Sequence, residues 1–438
     1  MVAELGLVGL AGILLGLLFV LLAAGVWIAV ALFLVGFVAI WLTTPVPLGQ
    51  VLATTVWSAS ASWTLAALPL FIWMGEILFR TRLSEEMFRG LAPWLGRVPG
   101  GLLHVNVVGC GIFAAVSGSS AATCATIGKI ALPELKARGY NDRVSLGSLA
   151  GSGTLGLLIP PSIPMVVYAV AANESVIQVF LGGFLPGAMV MGLYSGYIIV
   201  WSWLNPARTP PAEPPTSFVE KLRASARILP CVALILLIFL SLILGLATAT
   251  ECAAWGVLGA LVLAAATGSL SWASFWASVM SATRLTCMIM FILAGAAFTT
   301  AAMAYTGIPV ALANWVNGLG LSPYVLIAAL TVMYILLGCL IDGISMIVLT
   351  TVVVLPMIKQ AGFDLVWFGV YLIILVEMAQ ITPPVGFNLF VLQNMSGQDS
   401  WTVARAALPF FFLLVVAVAI ITVFPDIVLF LPRLAFPA

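Results

Sequence analysis

Charge is scarce in this sequence. Of 438 residues only 7% are Asp, Glu, Lys or Arg, and there is a single histidine, His104. A soluble globular protein carries about 25% charged residues, so a water-facing surface wrapped around a core is excluded. The 16 basic side chains nearly balance 15 acidic ones, for a net charge of +1. That leaves no basic field for a nucleic-acid partner. The six cysteines (Cys110, Cys124, Cys231, Cys252, Cys287, Cys339) are scattered without a CxxC pair. Their spacing argues against a metal site or a disulfide framework and for buried packing. There is no GxxxxGK[ST] loop for ATP and no HExxH pair. The stretches "GSGTLG" and "SGSS" would need His104 as the base of a serine hydrolase, and nothing marks it as one. No enzyme and no organic cofactor are expected.

What fills the chain instead is hydrocarbon: 63% hydrophobic residues and a mean hydropathy of +1.22. A membrane-spanning helix needs roughly 20 apolar residues, and about ten stretches approach that length. Lipid admits only helices or closed barrels, because backbone polar groups must pair internally. The Leu/Val/Ala/Ile runs lack the alternation of a barrel strand, so an all-α polytopic membrane protein is expected. Segment 5–24 follows an acidic Glu4 and runs almost directly into a second span, so it is expected to be retained rather than cleaved as a signal.

The chain repeats itself. A shift of 223 lays "LPELKARGYND" (132–142) on "LPMIKQAGFDL" (355–365), and Pro160-Pro161 on Pro383-Pro384. A shift of 220 lays "LFIWMGEIL" (70–78) on "MFILAGAAF" (290–298). The first copy, 1–204, takes in spans 5–24, 26–43 and 63–80, a hairpin 101–137, a broken helix 143–172 and a span 178–204. A linker, 205–227, follows. The second copy, 228–438, takes in spans 228–247, 249–268 and 285–305, a hairpin 323–360, a broken helix 366–395 and a span 406–432. Short stretches 47–59 and 272–283 precede the third span of each copy.

Each hairpin segment is about 37 residues, and one arm of about 17 reaches only ~26 Å at 1.5 Å per residue. "AVSGSSAAT" (115–123) and "CLIDGISM" (339–346) interrupt them midway, so they are read as re-entrant. Two ordinary spans with a turn between is the alternative. Five crossings per half would insert the second copy upside down. Lys and Arg concentrate on the cytoplasmic side. The scheme puts three basic loops on one face: Arg80, Arg82, Arg89 and Arg97; Lys136, Arg138 and Arg143; Arg208, Lys221, Arg223 and Arg227. The copy of the second loop keeps only Lys359, beside Asp364. An inverted repeat of two five-span halves is expected, with both termini outside the cytoplasm.

Consecutive prolines unwind a helix, because each removes an N–H and displaces the carbonyl four residues back. Free carbonyls are costly at membrane depth unless something uses them. The expected use is ion and substrate binding at paired broken helices; a simple packed kink is the alternative. Nearby polar groups are Ser117, Gly118, Ser119 and Ser120 on hairpin one, with Ser152, Thr154 and Ser162 on the first broken helix. The second half offers Asp342, Gly343, Ser345, Gln380, Thr382 and Asn388, with carbonyls around Ala379 to Pro384. These are hard oxygen donors, suited to a cation such as Na⁺. Asp342 and Glu377 are intramembrane carboxylates and functional candidates by default. A helix cap is the other reading of Asp342, and a buried hydrogen bond that of Glu377.

The residues "GSGTLGLLIPPSIPMVVYAVAANESV" and "FLGGFLPG", with the later "ITPPVGFNLFVLQ", resemble the large membrane subunit of tripartite ATP-independent periplasmic (TRAP) transporters. The resemblance runs over nearly the whole chain. It implies an elevator-type secondary transporter of the bacterial inner membrane, with a scaffold and a mobile transport domain, importing organic acids by Na⁺ symport. The acid would be a C4-dicarboxylate, a keto acid or a sialic-acid-like carboxylate. The implied partners are a periplasmic substrate-binding protein and a small four-helix membrane subunit, here expected as a separate chain. By the same resemblance Ser117, Ser120, Gly156, Ile159 and Pro161 would surround one Na⁺, and Asp342, Gly343, Ala379, Thr382 and Pro384 a second. Substrate would lie between the hairpin tips, near Ser119, Ser120, Ser162, Ser345 and Asn388. A stand-alone carboxylate carrier or a channel are the rival readings.

Overall fold

The computed structural model describes residues 2–81, 83–210, 217–226, 228–339, 341–384 and 386–436. Arg82, Arg227 and part of the linker lie outside them, and the side chain of Glu4 is likewise not described. The described residues hold 21 α-helices and no strand. The first half runs α1 (Val2–Ala23), α2 (Ile28–Thr43), α3 (Leu48–Ser60), α4 (Ala67–Phe79), α5 (Leu83–Leu95), α6 (Leu103–Ser117), α7 (Ser120–Ala137), α8 (Asp142–Leu158), α9 (Ile163–Ala172) and α10 (Val176–Leu204). A linker helix, α11 (Phe218–Ser225), follows. Then come α12 (Leu229–Ile243), α13 (Ala249–Ala266), α14 (Trp272–Thr306), α15 (Ile308–Gly318), α16 (Pro323–Gly338), α17 (Gly343–Gln360), α18 (Leu365–Gln380), α19 (Phe387–Ser396), α20 (Ser400–Val423) and α21 (Asp426–Ala435). Six of these helices are by themselves long and apolar enough to cross a membrane.

Polar residues fix where the helices begin. Asn141 caps α8, its side-chain oxygen accepting from the N–H groups of Arg143 and Val144 at 3.1 and 3.4 Å. Asp364 caps α18 in the same way, at 2.7 and 3.1 Å from Val366 and Trp367. Glu251, at a span edge, closes a capping box with Thr248. Each such pair satisfies N–H groups that the first turn of a helix leaves open.

The broken helices occupy the interior. α8 is buried from Val144 to Leu158, and α18 from Val366 to Gln380. Hairpin arms α6 and α7 both pack on α8; arms α16 and α17 both pack on α18. Small residues allow the closest approaches. A β-carbon at Gly151 would lie 2.6 Å from the Phe410 ring of α20. Outside this centre α14 runs along α2 and α13 along α4, with large apolar side chains such as Trp41, Trp57, Trp63, Trp272 and Trp276 exposed. Exposed hydrocarbon around a polar-flecked interior is the arrangement a bilayer demands.

Several element bounds depart from the sequence reading. The separate pieces 272–283 and 285–305 are one 35-residue helix, α14. The polar "SATR" (281–284) suggests a break, but no proline or glycine stands there to cause one. The closing span 406–432 divides into α20 and α21 around Pro425, whose ring cannot continue the helix. Four cysteines are buried; Cys287 is exposed and Cys339 half-buried, and none is bridged.

Candidate functional site

Pro160 and Pro161 end α8, and the chain resumes as α9 after a bend of 42°. In a continuous helix the N–H of residue 160 would bond Gly156 and that of 161 would bond Leu157; proline supplies neither. The Ser162 hydroxyl takes up the Leu157 carbonyl. The tip of hairpin one lies against the same break. Gly118 turns there in the left-handed region, at φ 57°, and Ser119 caps α7.

Oxygen atoms converge at this tip. The Ser117 and Thr123 hydroxyls are 2.6 Å apart. Thr123 donates to the Ser119 carbonyl at 2.8 Å, and Ser117 Oγ lies 3.3 Å from the same oxygen. A β-carbon on Gly156 would stand 2.5 Å from that carbonyl oxygen and 2.7 Å from Thr123 Oγ1. One on Gly118 would stand 3.2 Å from the Pro161 carbonyl oxygen. The site thus gathers Ser117, Ser119, Thr123, Gly156 and Pro161, and its oxygens suit a small hard cation. Thr123 was not singled out from sequence; its signal is the position one turn after Ser119 in "SSAAT".

Two residues grouped with this site turn their side chains elsewhere, Ile159 being grouped for its carbonyl. Ser120 pairs with Asn388 of α19, Oγ lying 3.0 Å from Oδ1 and 2.8 Å from Nδ2. Asn388 also reaches the Ala150 carbonyl at 3.3 Å. Both side chains are buried, so the pair ties hairpin one to the second broken helix. The Ile159 side chain packs towards Gly187 and Gly111.

At hairpin two Asp342 is a cap. Its Oδ2 accepts from the N–H groups of Ile344 and Ser345 at 3.1 and 3.2 Å, while Oδ1 takes the Ser345 hydroxyl. Gly343 and Gly338 press on Val376 and Ala379 of α18. The Thr382 hydroxyl donates back to Met378 at 2.6 Å, and its carbonyl accepts from Gly386 at 3.0 Å. The Ala379 carbonyl, freed by Pro383, accepts from the Thr382 N–H at 3.3 Å, and Pro384 is exposed. Of the residues grouped in the second half, Asp342, Ala379 and Thr382 thus bond to near neighbours in sequence.

Asp342→Asn separates cap from cation ligand. The amide oxygen still accepts the two N–H groups, so thermal unfolding should shift little, whereas on the expected Na⁺ symport the lost charge should weaken Na⁺ dependence of uptake about tenfold or more. Asp342→Ala should also lose the cap, about 1 kcal/mol. Asn behaving as wild type in a Na⁺ titration would make Asp342 a cap and nothing more.

Glu377 joins the broken helices. It is fully buried on α18, and its Oε1 accepts from the Leu157 N–H of α8 at 3.2 Å. Its Oε2 has no hydrogen-bond partner among the described residues. Thr154, the position that the 223 shift equates with it, donates to Gly151 at 2.7 Å and lies 3.4 Å from Tyr194 Oη. His104 sits buried at the other end of α6, 2.8 Å from the Pro99 carbonyl oxygen. It is about 20 Å along that helix from Ser117, too far to act as a base for the tip serines.

Residues 15–427 match the family model described as "Tripartite ATP-independent periplasmic transporter, DctM component". The chain is 33% identical over 383 residues to the C4-dicarboxylate TRAP transporter large permease protein DctM of Pseudomonas aeruginosa, covering 87% of this chain and 89% of that one. It is 29% identical to the ectoine TRAP transporter large permease protein TeaC of Halomonas elongata, over 85% of this chain and 87% of that one. The crystal structure of the Alcanivorax borkumensis YdaH transporter superposes with a TM-score of 0.68 over 92% of this chain and 98% of that one. At 12% identity that likeness speaks to the fold alone.

Proposed function

Because the chain belongs to the DctM-component family of tripartite ATP-independent periplasmic transporters, we propose that it imports a small organic acid by Na⁺ symport. It is the large permease subunit, a multi-pass protein of the bacterial inner membrane and not an enzyme. We read its partners as a small membrane subunit and a periplasmic binding protein that delivers the acid. The observation that carries the proposal is the meeting of the Ser117, Ser119, Thr123 and Pro161 oxygens at a proline-broken helix in the centre of a lipid-embedded chain.

The mechanism follows from desolvation. A carboxylate at mid-membrane carries a large penalty, which a neighbouring cation offsets, so hairpin and broken helix should move only when both cargoes are seated. Na⁺ would lie among the hairpin-one oxygens, with Asp342 supplying charge at the other tip. Ser119, Ser120, Ser162, Ser345 and Asn388 are the candidates to meet the acid. Of these, Ser120 and Asn388 must exchange their mutual bond for it, while Ser162 and Ser345 must give up bonds to Leu157 and Asp342. An inside-negative potential favours inward movement by ~2.3 kcal/mol per net positive charge per 100 mV, which needs no ATP when the cations outweigh the charge of the acid. The halves 1–204 and 228–438 would act as inverted copies, the hairpins and broken helices moving as one body against the remaining spans.

Proteoliposomes holding the chain, its small subunit and the binding protein test this with labelled succinate. Uptake should appear with an inward Na⁺ gradient and fall to background when choline replaces Na⁺. Uptake indifferent to Na⁺ overturns the coupling. Na⁺-driven uptake by this chain alone makes it a stand-alone carrier.

A further inference from the structure

α7, the start of α8 and the end of α19 enclose a cavity of about 670 Å³, within the ~300–1,000 Å³ of small-molecule sites. Its polar lining is Lys129 and Lys136 from α7, Asp142 and Ser145 from α8, and Ser396 and Gln398 at the end of α19. The rest of the wall, including Leu132, Leu146 and Met395, is apolar. Lys129 and Lys136 stand two turns apart on one face of α7. Two cations against one carboxylate leave the cavity positive, and low-dielectric walls focus that field.

Two further observations point to an occupant. Ser145 is buried, and its hydroxyl has no hydrogen-bond partner among the described residues, so an acceptor reaching that wall would satisfy it. The lining residue nearest Ser120 along α7, Ala125, lies about 7.5 Å along the helix from it, and the bond of Ser120 to Asn388 holds the hairpin to α19. On the cavity wall Met395 rests on Gly128, where a β-carbon would meet its Cε at 3.2 Å. A polar, positive cavity therefore ends less than two helical turns along α7 from the expected substrate residue Ser120.

We propose that this cavity is a staging site for small carboxylate anions on the cytoplasmic side of the Ser120–Asn388 pair. Lys129 and Lys136 attract the anion and Ser145 donates to it, so the acid leaving the tips is held here before release. The proposal rests on the transport function and on the cytoplasmic placement of the loop from Lys136 to Arg143.

A reporter thiol tests it without turnover. Ser396→Cys, with Cys287→Ser and Cys339→Ser, puts one accessible thiol on the wall, the other four cysteines being buried. Inside-out and right-side-out vesicles carrying the full complex are then treated with anionic and cationic methanethiosulfonates. The anionic reagent should react roughly tenfold faster than the cationic one, and only from the cytoplasmic side. Lys129→Gln with Lys136→Gln should bring the two rates together, the paired Arg variants should restore the difference, and millimolar succinate should slow labelling of the parent. Equal rates in the parent, no labelling, labelling from the periplasmic side, or a difference that survives the double Gln variant overturns the proposal. So does protection by phosphatidylglycerol but not by succinate, which assigns the cavity to a lipid headgroup. Charge-selective labelling alongside Na⁺-indifferent uptake would condemn the symport reading and leave the anion site standing.

Discussion

Gly156→Ala is expected to reduce Na⁺-driven uptake roughly a hundredfold or more, as about 1 Å of misplacement at a reacting centre does. The new methyl would stand 2.5 Å from the Ser119 carbonyl oxygen, 2.7 Å from its carbon and 2.7 Å from Thr123 Oγ1. The first two are backbone atoms, so the hairpin tip itself must retreat. Retreat separates the Ser119 and Thr123 oxygens from the carbonyls of the first break, which are the donors assigned to Na⁺. Overpacking of this kind costs about 1–3 kcal/mol, which leaves the chain in the membrane but without its cradle. Two readouts check it: the initial rate of uptake, and the rise in unfolding temperature when NaCl replaces choline chloride. Both should vanish. Gly192→Ala is the control, since nothing lies within 4 Å of a β-carbon there. Wild-type uptake and a wild-type Na⁺ shift in Gly156→Ala would remove the first break from the site.

Glu377→Ala should be the most damaging change to stability. It removes the 3.2 Å bond from the Leu157 N–H, about 0.5–1.5 kcal/mol, since that N–H lies inside α8 and keeps the helical acceptor four residues back. It also leaves a void where a fully buried side chain stood, which adds to the loss. Glu377→Gln keeps an oxygen in place and should recover most of the deficit. Unfolding temperature in detergent checks both: Gln near wild type, Ala several degrees below. If Ala unfolds with wild type, the bond between the broken helices contributes nothing.

Much of this architecture can be read from the residues because lipid allows so few solutions. Hydrocarbon runs without alternation leave helices only, and Pro-Pro within such a run forces a break wherever the chain is placed. The grouping of side chains around the breaks is less legible. Ser117 and Ser120 look alike in "SGSS", yet one faces Thr123 and the other Asn388, 268 positions away. Ser117 ends α6 and Ser120 begins α7 with the Gly118 turn between them, and no local pattern says which neighbour waits on either side of that turn. Asp342 reads as a charge stranded in lipid, but three hydrogen bonds at its own helix start engage it. Thr123 escaped notice because a threonine in a helix ordinarily bonds backwards; here that bond brings its hydroxyl to the Ser119 carbonyl at the tip.

The enclosure of α8 has a consequence for how the protein is made. The segment is rich in Gly and Ser and meets neighbours on every side, among them α20, whose Phe410 ring fills the notch at Gly151. α20 emerges from the ribosome more than two hundred residues later. Until then the segment, apolar enough with α9 to enter a membrane, carries its Ser and Gly surface without the wall that completes its burial. The nascent chain must therefore shelter it, at the translocon or against its own earlier helices, through most of its synthesis. Chains cut short before Ser400 should be targets for membrane proteases.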